Sequence, residues 1–174
     1  MLYKSYYKSP IGNILLVGKN NKLIGLWIED QKYYLGNLKE ELQENNTEEI
    51  FIKTKKWLDK YFAGDKPKIS ELELEPIGSE FRRNVWELLC KIPYGKVTTY
   101  KNIAENMAKI MNIEKISAQA VGGAVGHNPI SIIIPCHRVV GINGSLTGYA
   151  GGIDKKIKLL ELENADMRGL YTKI

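Results

Sequence analysis

The sequence predicts a two-lobed chain: a small α/β lobe, an antiparallel sheet with a helix, followed by a mainly α domain of winged helix-turn-helix type. Three observations predict it. Residues 1–30 alternate and turn in the manner of β-hairpins. Pro67, Pro76 and Gly78 then punctuate a stretch beyond which apolar residues recur at helical spacing. Finally, two capped helical segments lead to Asn143-Gly144 set between apolar runs, the signature of a tight hairpin. The punctuated stretch divides the 174 residues into lobes 1–76 and 77–174, each within the size range of a small domain.

Taken in order, Tyr3 to Lys8 reads as a strand, Ser9-Pro10-Ile11-Gly12 as a turn and Ile14 to Val17 as a second strand. Asn20-Asn21 supplies a tight turn into a third strand, Leu23 to Ile28. Residues 33–46 read as a short polar helix with a loose end. Thr47-Glu48-Glu49 is a helix start, with a cap and acids in the first turn. Ile50, Trp57, Leu58, Tyr61 and Phe62 follow at helical spacing, and Gly64 closes the run. Nothing in residues 1–64 has the pattern of a catalytic group, and the aromatic residues there read as core.

In the second lobe Ser79 caps a helix whose apolar face is Phe81, Val85, Trp86, Leu88 and Leu89, ended by Pro93-Tyr94-Gly95. Thr99 caps the next, with Ile103, Ala104, Met107 and Met111 on one side. Ser117 caps a third running through Gln119 to Val125, so the pair reads as a helix-turn-helix. Gly122, Gly123 and Gly126 each cost that helix about 1 kcal/mol against alanine. Their smallness fits close packing of another helix and close approach of a polyanion backbone equally well. Ile130 to Ile134 reads as a strand buried on both faces, stopped by Pro135, which cannot donate to a ladder. Val139 to Ile142 and Leu146 to Tyr149 flank the Asn-Gly pair as a wing. Asp154 starts a last helix through Ile157, Leu159, Leu160 and Leu162, with Glu163 near its end, and residues 164–174 read as a loose tail.

Composition bounds the function. No run of eighteen apolar residues is present, so no transmembrane helix is expected, and the start lacks the apolar core of a signal peptide. Two cysteines, Cys90 and Cys136, and two histidines make neither a disulfide framework nor a zinc site, so no metal is expected. Usable thiols fit a reducing cytoplasm. Residues 1–75 carry 12 Lys/Arg against 12 Asp/Glu, whereas residues 76–174 carry 13 against 8. The positive excess lies wholly in the second lobe and points to a polyanion partner there.

The chemistry centres on Cys136. A lone cysteine is ordinarily a buried, inert thiol. This one ends a proline-bounded apolar run and is followed by His137 and Arg138, which is where a held but reachable nucleophile would sit. A free thiol is mostly protonated at neutral pH, so a histidine that takes its proton would activate it. Neighbouring side chains of an extended chain point apart, so His137 reaches the sulfur only across a bend or through a bridging water. Glu163, from the last helix, is available to orient the imidazole.

Gly126-His127-Asn128-Pro129 and Pro135-Cys136-His137-Arg138-Val139-Val140 resemble the O6-alkylguanine-DNA alkyltransferases, and the resemblance runs from about Phe81 to Glu163. It is weak in the first lobe, for which it implies a ribonuclease H-like fold. It implies transfer of the alkyl group of O6-methylguanine, and of O4-methylthymine, to Cys136 in a single turnover, without a cofactor. A methyl on sulfur is a thioether, which unlike a thioester offers no carbonyl for water to attack. The resemblance assigns Cys136, His137 and Glu163 to a relay through water, Asn128 to tying the motif to the preceding helix, and Tyr149 to donating a proton to the leaving guanine. It assigns Tyr100, Gln119, Ala120, Gly123 and Arg138 to a monomer's contact with double-stranded DNA, with the helix in the minor groove and the damaged base flipped out. Gln119 departs from the pattern, because many members carry an arginine there; glutamine can still hydrogen-bond the orphaned cytosine but lacks the charge.

Two other readings compete. A cysteine hydrolase would need a histidine and an Asn or Asp spaced for a triad, and the other histidine, His127, stands in the Asn-Pro turn. A non-catalytic winged-helix binder of damaged DNA would lack the cysteine that this chain keeps.

Overall fold

Alternating apolar residues build the first sheet. In the computed structural model, which describes residues 1–172, β1 (Leu2–Ser9), β2 (Gly12–Lys19) and β3 (Lys22–Ile28) form an antiparallel meander. Asn20 and Asn21 both take positive φ, 51° and 57°, as a twisted two-residue turn demands. β4 (Leu42–Glu44) pairs parallel to β1, so the sheet, ordered β3-β2-β1-β4, is mixed rather than purely antiparallel. Residues 33–46 are therefore not a helix. Tyr33, Leu35 and Gly36 adopt positive φ, which breaks a helix, and Leu35, Leu38 and Leu42 instead cover a cluster of Leu2, Leu15, Val17, Ile24 and Trp27. α1 (Glu49–Phe62) packs on the sheet through Ile50, Phe51, Trp57, Leu58 and Tyr61. Its cap residue is Glu48, one place after the threonine that the sequence suggested.

The free edge of β3 is covered twice. Leu23 exchanges backbone hydrogen bonds with Glu73 and Glu75, and Leu26 does so with Pro129 and Ser131. Covering an edge in this way blocks pairing with other chains. The residues Pro129–Ile133 thus belong to the same compact unit as Met1–Ile77. They are buried as expected, but they are not a strand: after a single bridge at Ile130 the chain turns, with Ile132 at φ 71°. A β-branched residue in that region is strained by roughly 1–3 kcal/mol and persists only where its surroundings hold it.

The second unit comprises Gly78–Asn128 and the chain from Ile134 onward. α2 (Glu80–Leu89), α3 (Tyr100–Met111) and α4 (Ala118–Gly126) start at Ser79, Thr99 and Ser117, whose side chains accept hydrogen bonds from backbone amides in the first turn. Trp86 donates its indole N–H to the Ala124 carbonyl at 2.8 Å, pinning α2 to α4. α3 and α4 form the helix-turn-helix, joined through Asn112 in the left-handed conformation. β5 (Thr98–Thr99) pairs parallel with β6 (Val139–Val140).

Asn143-Gly144 does lie in a tight turn, closed by Gly141 N to Ser145 O at 2.8 Å, but among the described residues its two arms do not pair further as a two-stranded wing. The returning arm pairs with the tail: Leu146 donates to the Tyr171 carbonyl and Tyr171 donates to the Gly144 carbonyl. A Cβ on Gly144 would come within 2.0 Å of the Gly169 carbonyl, so only glycine fits there. The tail is correspondingly fastened, with Ala165, Met167 and Leu170 packed on Val140, Leu146 and Leu160, although its last residues, 173–174, lie outside the described part. α5 (Ile153–Leu162) begins one residue before the predicted Asp154, and Glu163 is its C-cap. No helix among the described residues is long and apolar enough to cross a membrane.

Candidate active site

Pro135 sets the bend on which the site depends. With φ −82° and ψ 65° it makes an inverse γ-turn, closed by Cys136 N to Ile134 O at 2.8 Å, and a 3-10 turn over Cys136–Arg138 follows. In such a turn successive side chains diverge by about a third of a circle. Cys136, His137 and Arg138 therefore face different neighbours, and all three are buried.

The Cys136 sulfur accepts a hydrogen bond from Asn128, whose Nδ2 also donates to the Ile134 carbonyl at 2.8 Å. Asn128 stands two residues beyond α4, so it fastens the end of that helix to the nucleophile turn. Burial pushes the thiol pKa up, while Asn128, the Lys156 charge and the residue's own backbone pull it down.

His137 turns towards α5. Its Nε2 lies 2.5 Å from Glu163 Oε2. Arg138 completes the pair, donating through Nε to Oε1 at 2.8 Å and through Nη2 to Oε2 at 3.1 Å. The Gly95 amide adds a further bond to Oε1 at 3.1 Å. Burial alone would raise the Glu163 pKa, but His137 and Arg138 hold it well below the usual carboxylate range. Burial lowers the His137 pKa against the pull of Glu163, with Arg138 and Lys156 acting in the same sense as burial. The imidazole is thus neutral at rest. An ionised carboxylate only accepts, which assigns the ring proton to Nε2 and leaves the lone pair on Nδ1. Nδ1 is buried and has no partner among the described residues, so the base position of the ring is open.

Two phenols complete the surroundings. Tyr149 sets its ring edge-on to His137, at 6.5 Å between centroids and 84° between planes. Its hydroxyl is buried without a partner among the described residues, and its pKa lies well above 10 owing to burial and then to the charges of Cys136 and Glu163. The phenol therefore keeps its proton at neutral pH. Tyr100, the first residue of α3, donates to the Thr147 carbonyl at 3.1 Å, and burial followed by the Cys136 charge pushes its pKa to about 12.

Cys136, His137, Glu163, Asn128 and Tyr149 are therefore brought together, with Tyr100 at the margin. Gln119, Ala120 and Gly123 lie apart from them, on the exposed face of α4, opposite buried Val121, Ala124 and Val125. A Cβ on Gly123 would meet nothing within 4 Å. Arg138, expected at DNA, is placed elsewhere. It is 6% exposed, and Nη1 donates to the Ile92 carbonyl at 2.7 Å while the other nitrogens engage Glu163. A guanidinium so committed orients a carboxylate and has little left for phosphate. Lys156 was not singled out in the sequence at all, yet it is fully buried in this site. The available signal was its spacing: with Leu160 and Glu163 it falls on the inward stripe of α5.

Residues 2–76 match the family profile described as 6-O-methylguanine DNA methyltransferase, ribonuclease-like domain, and residues 80–165 match the profile for its DNA binding domain. A methylated-DNA--protein-cysteine methyltransferase of Methanosarcina acetivorans is 41% identical over 166 residues, covering 94% of this chain and 99% of that one. One from Mycobacterium leprae is 40% identical over 163 residues, covering 94% and 93%. Among solved structures, Mycobacterium tuberculosis OGT in complex with DNA superposes with a TM-score of 0.83 at 38% identity, covering 95% of this chain and 96% of that chain.

Proposed function

The chain belongs to the 6-O-methylguanine DNA methyltransferase family, and on that premise we propose how its own residues carry out alkyl transfer. It is a DNA repair alkyltransferase, a methylated-DNA–protein-cysteine methyltransferase, and DNA is its partner. Residues 1–76 form the supporting domain and residues 77–174 the DNA-binding and alkyl-acceptor domain, acting as a monomer in the cytoplasm. Double-stranded DNA lies against α4 by its minor groove, with Gln119, Ala120 and Gly123 towards the strands, and the O6-alkylguanine is turned out of the stack towards Cys136.

The observation that carries the reading is the buried constellation itself. Cys136 receives the Asn128 hydrogen bond, and beside it stands an imidazole held by Glu163 with its basic nitrogen free. The thiol proton passes through a bridging water to His137 Nδ1, and Glu163 stabilises the imidazolium. The thiolate attacks the methyl carbon. The S–C bond forms as the C–O bond breaks, and the electron pair of that bond goes to the guanine. The unpartnered Tyr149 hydroxyl serves the leaving base as donor. The imidazolium of His137, against which the Tyr149 ring is set edge-on, returns the proton that Tyr149 gives to guanine, so the balance closes with a neutral base, neutral side chains and a thioether. O4-methylthymine presents the same methyl–oxygen bond and reacts in the same way. No second nucleophile is set to cleave the thioether, so each molecule acts once.

Incubation with duplex carrying O6-methylguanine, followed by mass spectrometry of peptides, tests this. One methyl is expected on the Cys136 peptide and none on the Cys90 peptide. Cys90 is held inert by burial, which pushes its thiol to about 11, with Glu87 acting in the same sense. Methyl on Cys90, or repeated turnover, would defeat the reading.

A further inference from the structure

The turn at residues 92–95, between α2 and β5, has no part in the steps above, yet it meets the charged pair that holds His137. The Ile92 carbonyl accepts from Arg138 Nη1 at 2.7 Å, and the Gly95 amide donates to Glu163 Oε1 at 3.1 Å. Between them Tyr94 sets its ring against the guanidinium, with Arg138 Cζ 5.7 Å from the ring centroid. The Tyr94 hydroxyl reaches the Leu162 carbonyl at 3.4 Å, beyond the usual length of an O–H···O bond. The ring, not the hydroxyl, is therefore the firmer contact.

A guanidinium is a flat plate that donates only in its own plane. Arg138 gives Nε and Nη2 to the two oxygens of Glu163 and Nη1 to Ile92, so all three nitrogens are engaged there. In-plane bonds resist sliding but leave the plate free to tilt, and an aromatic face laid against it stops the tilt. The carboxylate is placed by the same turn. Gly95 takes positive φ, 77°, and a Cβ there would come within 2.8 Å of the Glu163 carbonyl oxygen. Glu163 Oε2 is shared between Arg138 Nη2 and His137 Nε2, so a tilting guanidinium turns the carboxylate that sets the imidazole. The groups that face His137 are Glu163 and Lys156 from α5, Arg138 on its own turn and the Tyr149 ring before α5. From the α2 side, Cys90 and Tyr94 both feel the Arg138 charge.

We propose that Tyr94 is a positioning residue for alkyl transfer: its ring holds the Arg138 guanidinium in the plane of Glu163 and so keeps that carboxylate aimed at His137. This role rests on Cys136 being the acceptor and His137 its base. Released from the ring, the guanidinium loosens from Glu163, and the carboxylate acts on the imidazole with less opposition from Arg138, which holds the His137 pKa down. The imidazole then takes up a proton at higher pH and ceases to be a base there. A tyrosine that merely filled space would change the rate by one factor at every pH.

The test follows methyl transfer from the free base O6-methylguanine across pH in native protein, Tyr94→Leu and Tyr94→Phe. Leucine keeps apolar bulk but has no π-face, and its acid limb is expected to rise by roughly one pH unit. On that limb transfer should slow by up to about tenfold, the loss closing at higher pH. Phenylalanine should restore the native limb. A folded leucine variant with an unmoved limb, or with a loss independent of pH, overturns the proposal. A second series keeps the shape of the ring: Tyr94→Phe carrying one and then three ring fluorines, which drain the negative face that a cation prefers. The limb should climb with each step, and a limb indifferent to fluorine overturns the proposal. Methyl found away from Cys136 would defeat the acceptor reading, whereas methylated Cys136 with unmoved limbs would defeat only this one.

Discussion

Glu163 concentrates the electrostatics of the site on one residue. It binds His137, Arg138 and the Gly95 amide while 2% exposed, so Glu163→Gln would leave Arg138 buried without its anion. Breaking a buried pair from one side costs roughly 3–5 kcal/mol. Because burial is outweighed by His137 and Arg138, the folded carboxyl titrates below its unfolded value near 4.3. Its contribution is therefore fully present above about pH 5 and is lost as pH falls towards the folded value. His137, whose pKa burial lowers, acts in the same direction at higher pH, since the unfolded chain takes up its proton first, below about 6.5. Thermal melts of native protein should thus show stability falling as pH drops from 7 to 3. In Glu163→Gln the melting temperature should be lower throughout and the fall below pH 5 shallower. A parallel curve would show that the carboxylate carries no pH-linked stability. At this scale the sequence was legible where chemistry and motif coincide, as at Cys136, His137 and Asn128. It was not legible where a charged residue turns inward: Arg138 and Lys156 look like surface cations until the turn and α5 bury them.

Among the elements, capped helices were readable and irregular backbone was not. Ser79, Thr99 and Ser117 each stand at the predicted start, because a cap is a local hydrogen bond between residues three apart. The Ile130–Ile134 run is as apolar as a buried strand, but a turn strained at Ile132 is set by tertiary packing that periodicity does not encode. Residues 33–46 failed for a related reason: a stretch read as a polar helix is instead held by the packing of Leu35, Leu38 and Leu42 on a sheet face, a tertiary contact that composition does not encode. Two predictions belong to α3 and α4. Tyr100→Ala should slow repair of duplex far more than reaction with free O6-methylguanine, because only the duplex must be distorted. Equal losses would mean that the Tyr100 bond to Thr147 serves the pocket alone. Gln119 is exposed on the outer face of α4, so Gln119→Arg adds a cation there. The logarithmic salt slope of DNA binding should steepen by at most about 0.9, the contribution of one phosphate contact. An unchanged slope with no gain in duplex repair would mean that residue 119 does not meet DNA.

For the whole molecule, the consequence is that repair should destabilise the protein that performs it. Cys136 is 4% exposed, its sulfur hydrogen-bonded by Asn128 and under the charge of Lys156. Adding a methyl in so close a place is a small-to-large change, which costs about 1–3 kcal/mol. The thioether is also a poorer acceptor than the thiolate, so Asn128 loses part of what ties the end of α4 to the nucleophile turn. The buried Lys156 ammonium loses the one group that raises its pKa and is left to the Val139 and Thr147 carbonyls. These three effects act in one direction and converge on the turn that links α4, α5 and the segment after Ile134. In a chain of 174 residues each kcal/mol lowers the melting temperature by roughly 2–4 °C. Free and fully methylated protein should therefore be melted in the same buffer without DNA, with the methylated form expected several degrees lower. Its hydrogen exchange should quicken first at the C-terminal end of α4. An equal or higher melting temperature would mean that the pocket has room for the methyl, and such a site would accept bulkier alkyl groups at little cost.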